Sequence, residues 1–252
     1  MDNATFFKAL REEILTRHAS LHHPLIKLLV NGELTREQLI GFVKQFWIIP
    51  HTHLINNAGK LAHAQLLRGS WLQQLLESPY DQTITAFIGE SVADELGKTN
   101  ISPVSHYDCF FDLTDELGIP REELGKPETL LPTTLIVMHC WTSSALHFSL
   151  MELLASHNLV NDPVNVIAYP RICEALQKHY GLSKKATAWF DLHGEVDKEH
   201  GSRAEAILSR IVKTEEDRRV IRYCVNFGLG IRWTLYDGIM DAYVTKAYPV
   251  AS

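Results

Sequence analysis

The sequence predicts an all-α protein, and three observations carry that expectation. Apolar residues recur at helical spacing from end to end, helix caps and stops punctuate the chain at intervals, and strand signals are nearly absent. At 252 residues, 46% apolar and 21% charged, the chain can bury one sizeable core. It shows no repeat, low-complexity tract or linker, so 1–252 reads as a single helical domain. Net charge is −6 with no block of Lys or Arg, which argues against a nucleic-acid partner. The N-terminus carries acid where a secretory signal needs base, and no apolar run is long enough to span a bilayer. Cys109, Cys140, Cys173 and Cys224 are scattered without a CxxC pair, as expected for reduced, mostly buried thiols in a cytoplasmic protein.

The elements follow in order. Phe6, Phe7, Leu10, Ile14 and Leu15 form a helical stripe. Asn31-Gly32 makes a turn, and Thr35 to Gln38 reads as a capping box opening a long helix through Phe42, Phe46 and Trp47. Pro50 is expected to kink that helix, which resumes through Leu54 and Leu61. A helix from about Asp81 to Leu96 is stopped by Gly97. Ser102-Pro103 opens another that ends at Gly118, and Pro120 starts a short one. Pro132 begins a long apolar helix through Trp141 towards Leu154, with a break or kink at Asn161-Asp162-Pro163. Pro170–Tyr180 is helical and ended by Gly181, and Ser183 to about Ile211 follows. Thr214-Glu215-Glu216-Asp217 caps the last helix, which passes Trp233 and runs to Tyr243. The total is eight or nine helices joined by short loops.

Chemistry concentrates at Asp191-Leu192-His193-Gly194-Glu195-Val196-Asp197-Lys198-Glu199-His200. Positions i, i+4 and i+7 of a helix lie on one stripe, so His193, Asp197 and His200 point the same way while Glu195, Lys198 and Glu199 project to solvent. Two imidazoles and a carboxylate on a rigid helix suit iron or another borderline divalent metal. A hydrogen-bonded surface network with the same spacing is the other reading. Glu95, at a helix end, and His106, sharing a face with Phe110 and Leu113, bring the candidates to five ligand-type residues on three helices. His106 also suits an ordinary buried core histidine. His51 and His53, beside Pro50, are candidates for substrate contact. His139, His147 and His157 are weaker candidates for the same role, and Tyr107, Trp141 and Tyr169 read as core aromatics.

Several of these stretches carry a resemblance. The run His23-Pro24-Leu25 with Asn31-Gly32-Glu33-Leu34-Thr35-Arg36-Glu37-Gln38-Leu39, the Leu131-Pro132 helix start, His179-Tyr180-Gly181-Leu182 and the terminal Trp233-x3-Asp237 helix resemble the heme-oxygenase-like superfamily. The similar branch holds pyrroloquinoline-quinone synthase, the chlamydial death-domain-associating protein and related di-iron oxidases. The resemblance covers nearly the whole chain and implies a heme-oxygenase-like helical bundle. It implies two iron ions, cycling between Fe(II) and Fe(III), with O2 as co-substrate. The metal ligands it implies are Glu95, His106, His193, Asp197 and His200. The di-iron members also carry a Glu on the helix that begins near Pro132; its counterpart here falls at Asn161 or Asp162, with Glu152 less well aligned. Asp162 is the shorter carboxylate that would stand in, or else a cap for a helix beginning at Pro163. The cofactor-free quinone synthase has His at the Glu95 position and Arg at the His193 position, so this sequence sides with the metal-dependent members.

The expectation is an iron-dependent oxidase or oxygenase acting on a small organic substrate, such as an amino acid or a metabolite derived from one, in a biosynthetic pathway. A homodimer is implied by the resemblance alone. The rival readings are a cofactor-free oxidase like the quinone synthase, a thiamin-salvage hydrolase, which would need a catalytic Cys, and a non-catalytic helical interaction protein.

Overall fold

The computed structural model describes residues 2–70, 82–100 and 102–246, without the side chains of 65–70, 82, 83, 196, 198 and 199. Every regular element among the described residues is helical. At the N-terminus, α1 (Asn3–Arg17), α2 (Ala19–His22) and α3 (Pro24–Asn31) follow each other with single-residue joints. Both joints are histidines acting as caps: His18 Nδ1 accepts from the Ser20 N–H and His23 Nδ1 from the Leu25 N–H. His23 Nε2 also lies 3.0 Å from Asp237 Oδ1, and its ring packs 4.9 Å from Trp233. The two terminal motifs that carry the family resemblance are therefore one clasp between the ends of the chain.

The capping box at Thr35 and Gln38 opens α4 (Arg36–Phe46), as expected. Near Pro50 the helical run is interrupted at the single residue Trp47, which keeps helical dihedrals and its bond to the Val43 carbonyl, and α5 (Ile48–Ser70) places Pro50 in its first turn, where a missing N–H leaves no bond unmade. The next helix, α6, runs Gln82–Glu95; the expected start at Asp81 lies outside the described residues. The following helix does not open at Ser102-Pro103. Ser105 takes the cap position, its side chain accepting from the Asp108 N–H, and α7 spans His106–Leu117. Gly118 and Gly181 end their helices with φ of 76° and 70°, a backbone region that glycine enters without steric cost. Pro120 leads into a single 3-10 turn, Arg121–Glu123.

The largest departure follows Pro132. The helix α8 (Pro132–His147) stops well short of Leu154, because Ser149 and Glu152 form a capping box that starts the short α9 (Leu150–Leu153). A π-turn, Leu154–Asn158, then leads into α10 (Leu159–Tyr180), which continues unbroken through Pro163 and Pro170. The expected break at 161–163 is absent. The wide turn ends just before Pro163, relieving the crowding its ring would impose on the preceding helical turn. The last helices are α11 (Ala188–Ile211) and α12 (Glu215–Ile239), with a second π-turn at Met240–Val244.

The core is one connected cluster. At its centre Phe46 lies 5.6 Å from Trp189 and 5.7 Å from Phe190, and Tyr169 packs 5.3 Å from Trp189. Close approach of helices depends on small residues. A Cβ on Gly228 of α12 would sit 2.4 Å from the Ser156 carbonyl oxygen of the first π-turn, and one on Gly201 of α11 would sit 3.1 Å from the Asp162 Cβ. No described helix is long and apolar enough to cross a membrane.

Candidate metal centre

Five elements turn polar side chains towards one buried cavity with about 20 Å3 of free space. From α6 comes Glu95, from α7 His106, from α5 His53, from α10 Asp162, and from α11 His193, Asp197 and His200. The i, i+4, i+7 stripe on α11 shares one face, as helix geometry requires, and that face is turned towards the cavity. Glu195 is exposed, also as expected; the side chains of Lys198 and Glu199 lie outside the described residues.

The groups form two adjoining sets. In the first, His106 Nδ1 is 3.2 Å from Glu95 Oε2 and His53 Nδ1 is 3.6 Å from Glu95 Oε1. His193 Nδ1 donates to the Trp189 carbonyl at 2.8 Å, which fixes the proton on Nδ1 and leaves the Nε2 lone pair free. That Nε2 is buried and has no hydrogen-bond partner, and the same holds for His106 Nε2. One ligand atom from each of His53, Glu95 and His193 falls within 4.8 Å of the others. In the second set, Asp197 Oδ2 accepts from Asn165 Nδ2 at 2.9 Å and Asp162 Oδ2 accepts from Asn158 Nδ2 at 2.9 Å. His200 Nδ1 lies 3.8 Å from Asp197 Oδ1, while its Nε2 lies 3.3 Å from Asp94 Oδ2.

The electrostatics separate the carboxylates. Burial alone would raise the Glu95 carboxyl, but the adjacent His106 and His53 imidazoles outweigh it and hold Glu95 well below the usual range. Burial pushes Asp197 well above the usual range, with Asp162's charge adding to it, and burial raises Asp162 as well. His193 is driven well below an ordinary imidazole by burial, then by the charge of His106, so it stays neutral and able to coordinate. Two buried acids that resist ionising and two buried imidazole nitrogens without partners make a donor set suited to a divalent cation.

Sequence reasoning placed the remaining residues less well. His51 does not reach the cavity; it stacks on Trp47 at 4.5 Å, because residues two apart on a helix face different sides. His53 is in the cavity but within the carboxylate–imidazole cluster itself. Glu152 is occupied as a cap and lies outside the cavity lining. Asn161 lines the cavity, but its Oδ1 is taken by Arg232 Nη2 at 2.9 Å. Of the three weaker histidine candidates, His157 lines the cavity, whereas His139 and His147 are exposed. No described cysteine lines it. Asp94, Lys60 and Arg232, which sequence reasoning passed over, surround it. The approach of Asp94 on α6 to His200 on α11, 106 residues further along the chain, is invisible until the two helices are packed.

The fold and the site together define a helical protein built around a buried carboxylate–imidazole centre, on a heme-oxygenase-like scaffold. The chain belongs to the family described as iron-containing redox enzymes, whose model matches residues 58–229. It is 24% identical to a pyrroloquinoline-quinone synthase of Xanthomonas campestris, over 88% of this chain and 82% of the relative. It is likewise 24% identical to the pyrroloquinoline-quinone synthase of Pseudomonas aeruginosa, over 99% and 92%. Among solved structures, a TenA homologue from Pseudomonas syringae superposes with a TM-score of 0.76 at 14% identity, covering 96% of each chain.

Proposed function

We propose that this protein is an oxidase or oxygenase that holds two iron ions and uses O2 to oxidise a small organic substrate, an amino acid or a metabolite derived from one. The observation that carries this reading is the convergence of Glu95, Asp162 and Asp197 with His106, His193 and His200 on one buried cavity. Glu95, His106 and His193 would hold one ion and Asp162, Asp197 and His200 the other, with His53 beside the first. Bound iron(II) would supply the electrons that reduce O2.

The chain's own residues do the rest. The Trp189 carbonyl keeps the His193 proton on Nδ1 and its ring in one orientation, while Asn165 and Asn158 each hold one oxygen of an aspartate. Trp189, whose ring lies 4.1 Å from that of His193, and Tyr169 behind it form an aromatic floor that keeps bulk water out. The free space of about 20 Å3 suits one small molecule such as O2.

The test is anaerobic Fe(II) loading followed by iron analysis, with about two ions per chain expected for a helical site with this many carboxylate and imidazole donors. His200→Ala and Asp162→Ala should each lower that number with helical content unchanged. Full iron occupancy in both variants would refute the assignment.

A further inference from the structure

Two cations are fully buried against this cavity, and neither has a carboxylate within ion-pair distance among the described residues. Lys60 on α5 is 2% exposed, and its Nζ donates to Asn57 Oδ1 at 2.9 Å and to His157 Nδ1 at 3.1 Å. Arg232 on α12 is 1% exposed; its Nη2 donates to Asn161 Oδ1, while its Nε and Nη1 have no partner. Its guanidinium lies over Trp141 at 5.3 Å. A buried guanidinium with two idle donors is strongly disfavoured, because desolvation of the ion is left uncompensated, so a missing acceptor is the economical explanation.

His157 joins the two. Because Lys60 donates to its Nδ1, the ring's own proton must sit on Nε2, making that atom a donor. His157 Nε2 is buried, lacks a partner, and belongs to a residue that lines the cavity. Asn161 links the His157 backbone to the arginine, its Nδ2 donating to the His157 main-chain carbonyl at 2.8 Å and its Oδ1 accepting from Arg232. Beyond the neutral acceptors Asn57 Oδ1, His157 Nδ1 and Asn161 Oδ1, three donors of this group, His157 Nε2 and Arg232 Nε and Nη1, have no hydrogen-bond partner, and no carboxylate among the described residues lies at ion-pair distance from either cation. If two ferrous ions occupy the centre, positive charge there exceeds what Asp94, Glu95, Asp162 and Asp197 can balance once Lys60 and Arg232 are included.

We propose that Lys60, His157 and Arg232 form a buried anion subsite beside the metal cavity, and that it receives the carboxylate group of the organic substrate. Naming the ligand as substrate rests on the proposed function; the anion site itself does not. Formate, the smallest carboxylate, is the probe, and formamide is its neutral counterpart of the same shape.

The 15N-labelled full-length protein is titrated with sodium formate at constant ionic strength, metal-free and Zn(II)-loaded in parallel. The His157 Nε2–H and Arg232 Nε–H resonances should shift saturably with formate and not with formamide. Lys60→Met should raise the dissociation constant by about 10-fold or more, as expected for loss of a charged donor. Arg232→Lys, which keeps the charge and removes the fork, should do likewise; if it does not fold, Lys60→Met still decides. Absence of a saturable shift in both metal states, an equal response to formamide, or undiminished affinity in Lys60→Met would overturn the subsite. Formate binding without Zn(II) uptake would sink the metal reading and leave the subsite standing, and the converse result would do the reverse.

Discussion

Replacing Lys60 by methionine should change how stability depends on pH more than it changes stability at any one pH. Burial lowers the Lys60 ammonium from 10.5 to about 8, partly opposed by the negative charge of Asp162, Glu95 and Asp197. Between those two values the unfolded chain keeps the proton and the folded chain has released it, so wild-type stability rises with pH across that window. Each unit contributes about 1.4 kcal/mol, so the metal-free wild type should gain about 2 to 3 kcal/mol over the variant between pH 7 and pH 10. At pH 7 methionine removes a buried charge but leaves Asn57 Oδ1 and His157 Nδ1 without a donor, about 1 to 3 kcal/mol each if nothing replaces it. These effects oppose each other at pH 7, so the divergence with pH is the measured quantity. Urea unfolding of both metal-free proteins at pH 7, 8, 9 and 10 provides it, because titration of groups remote from Lys60 cancels in the difference. Parallel stability curves would refute the account of Lys60 as a buried ammonium.

Two further outcomes test the packing and the site's surroundings. Gly228→Ala drives a methyl into the Ser156 carbonyl of the π-turn, where backbone must move, and should cost about 1 to 3 kcal/mol in thermal or urea unfolding; an unchanged midpoint would show that α12 and the π-turn are not in contact. Asp94→Asn removes the charge facing His200 Nε2 and should weaken metal affinity by about 10-fold or more, with helical content intact; unaltered affinity by competitive chelation would show that Asp94 does not orient His200.

Much of the scaffold was legible because helices announce their ends chemically. Thr35, Thr214, Gly118 and Gly181 each do what their residue type does anywhere: accept an exposed N–H or enter the left-handed region. The stripe of His193, Asp197 and His200 was legible for the same reason, since its spacing is set by helix geometry alone. What failed depended on tertiary context. Pro163 reads as a break because a proline removes an i to i−4 bond, but the π-turn before it, which no residue type advertises, changes the local register. Without that turn the counterpart falls at Asn161 or Asp162, with Glu152 less well aligned; with it, Asp162 faces the cavity, Asn161 bonds Arg232, and Glu152 caps α9. Lys60 and Arg232 were passed over because long cationic side chains usually reach solvent, and only the packing of α5, α8 and α12 around the π-turn shows that these two do not.

The raised carboxyls also bear on how a metal would be taken up. Burial, with the charge of Asp162 added to it, keeps Asp197 protonated at pH values where an exposed aspartate is ionised, and burial alone does the same to a lesser degree for Asp162. An acid raised in the folded state stabilises the fold below its unfolded value and loses that contribution as pH rises through the folded value. The metal-free protein should therefore lose stability as pH rises through the folded values of this pair, while a bound divalent cation, which favours the ionised forms, should restore it. Two consequences follow together: loading with Zn(II) should release protons into a weakly buffered solution near the folded values, and the stabilisation conferred by the ion should grow with pH. Glu95, already held ionised by His106 and His53, should release none. Calorimetric titration in buffers of different ionisation enthalpy counts those protons. Release that stays the same in Asp197→Asn would locate it elsewhere, on the histidines, and would mean that the α11 aspartate enters the site already charged.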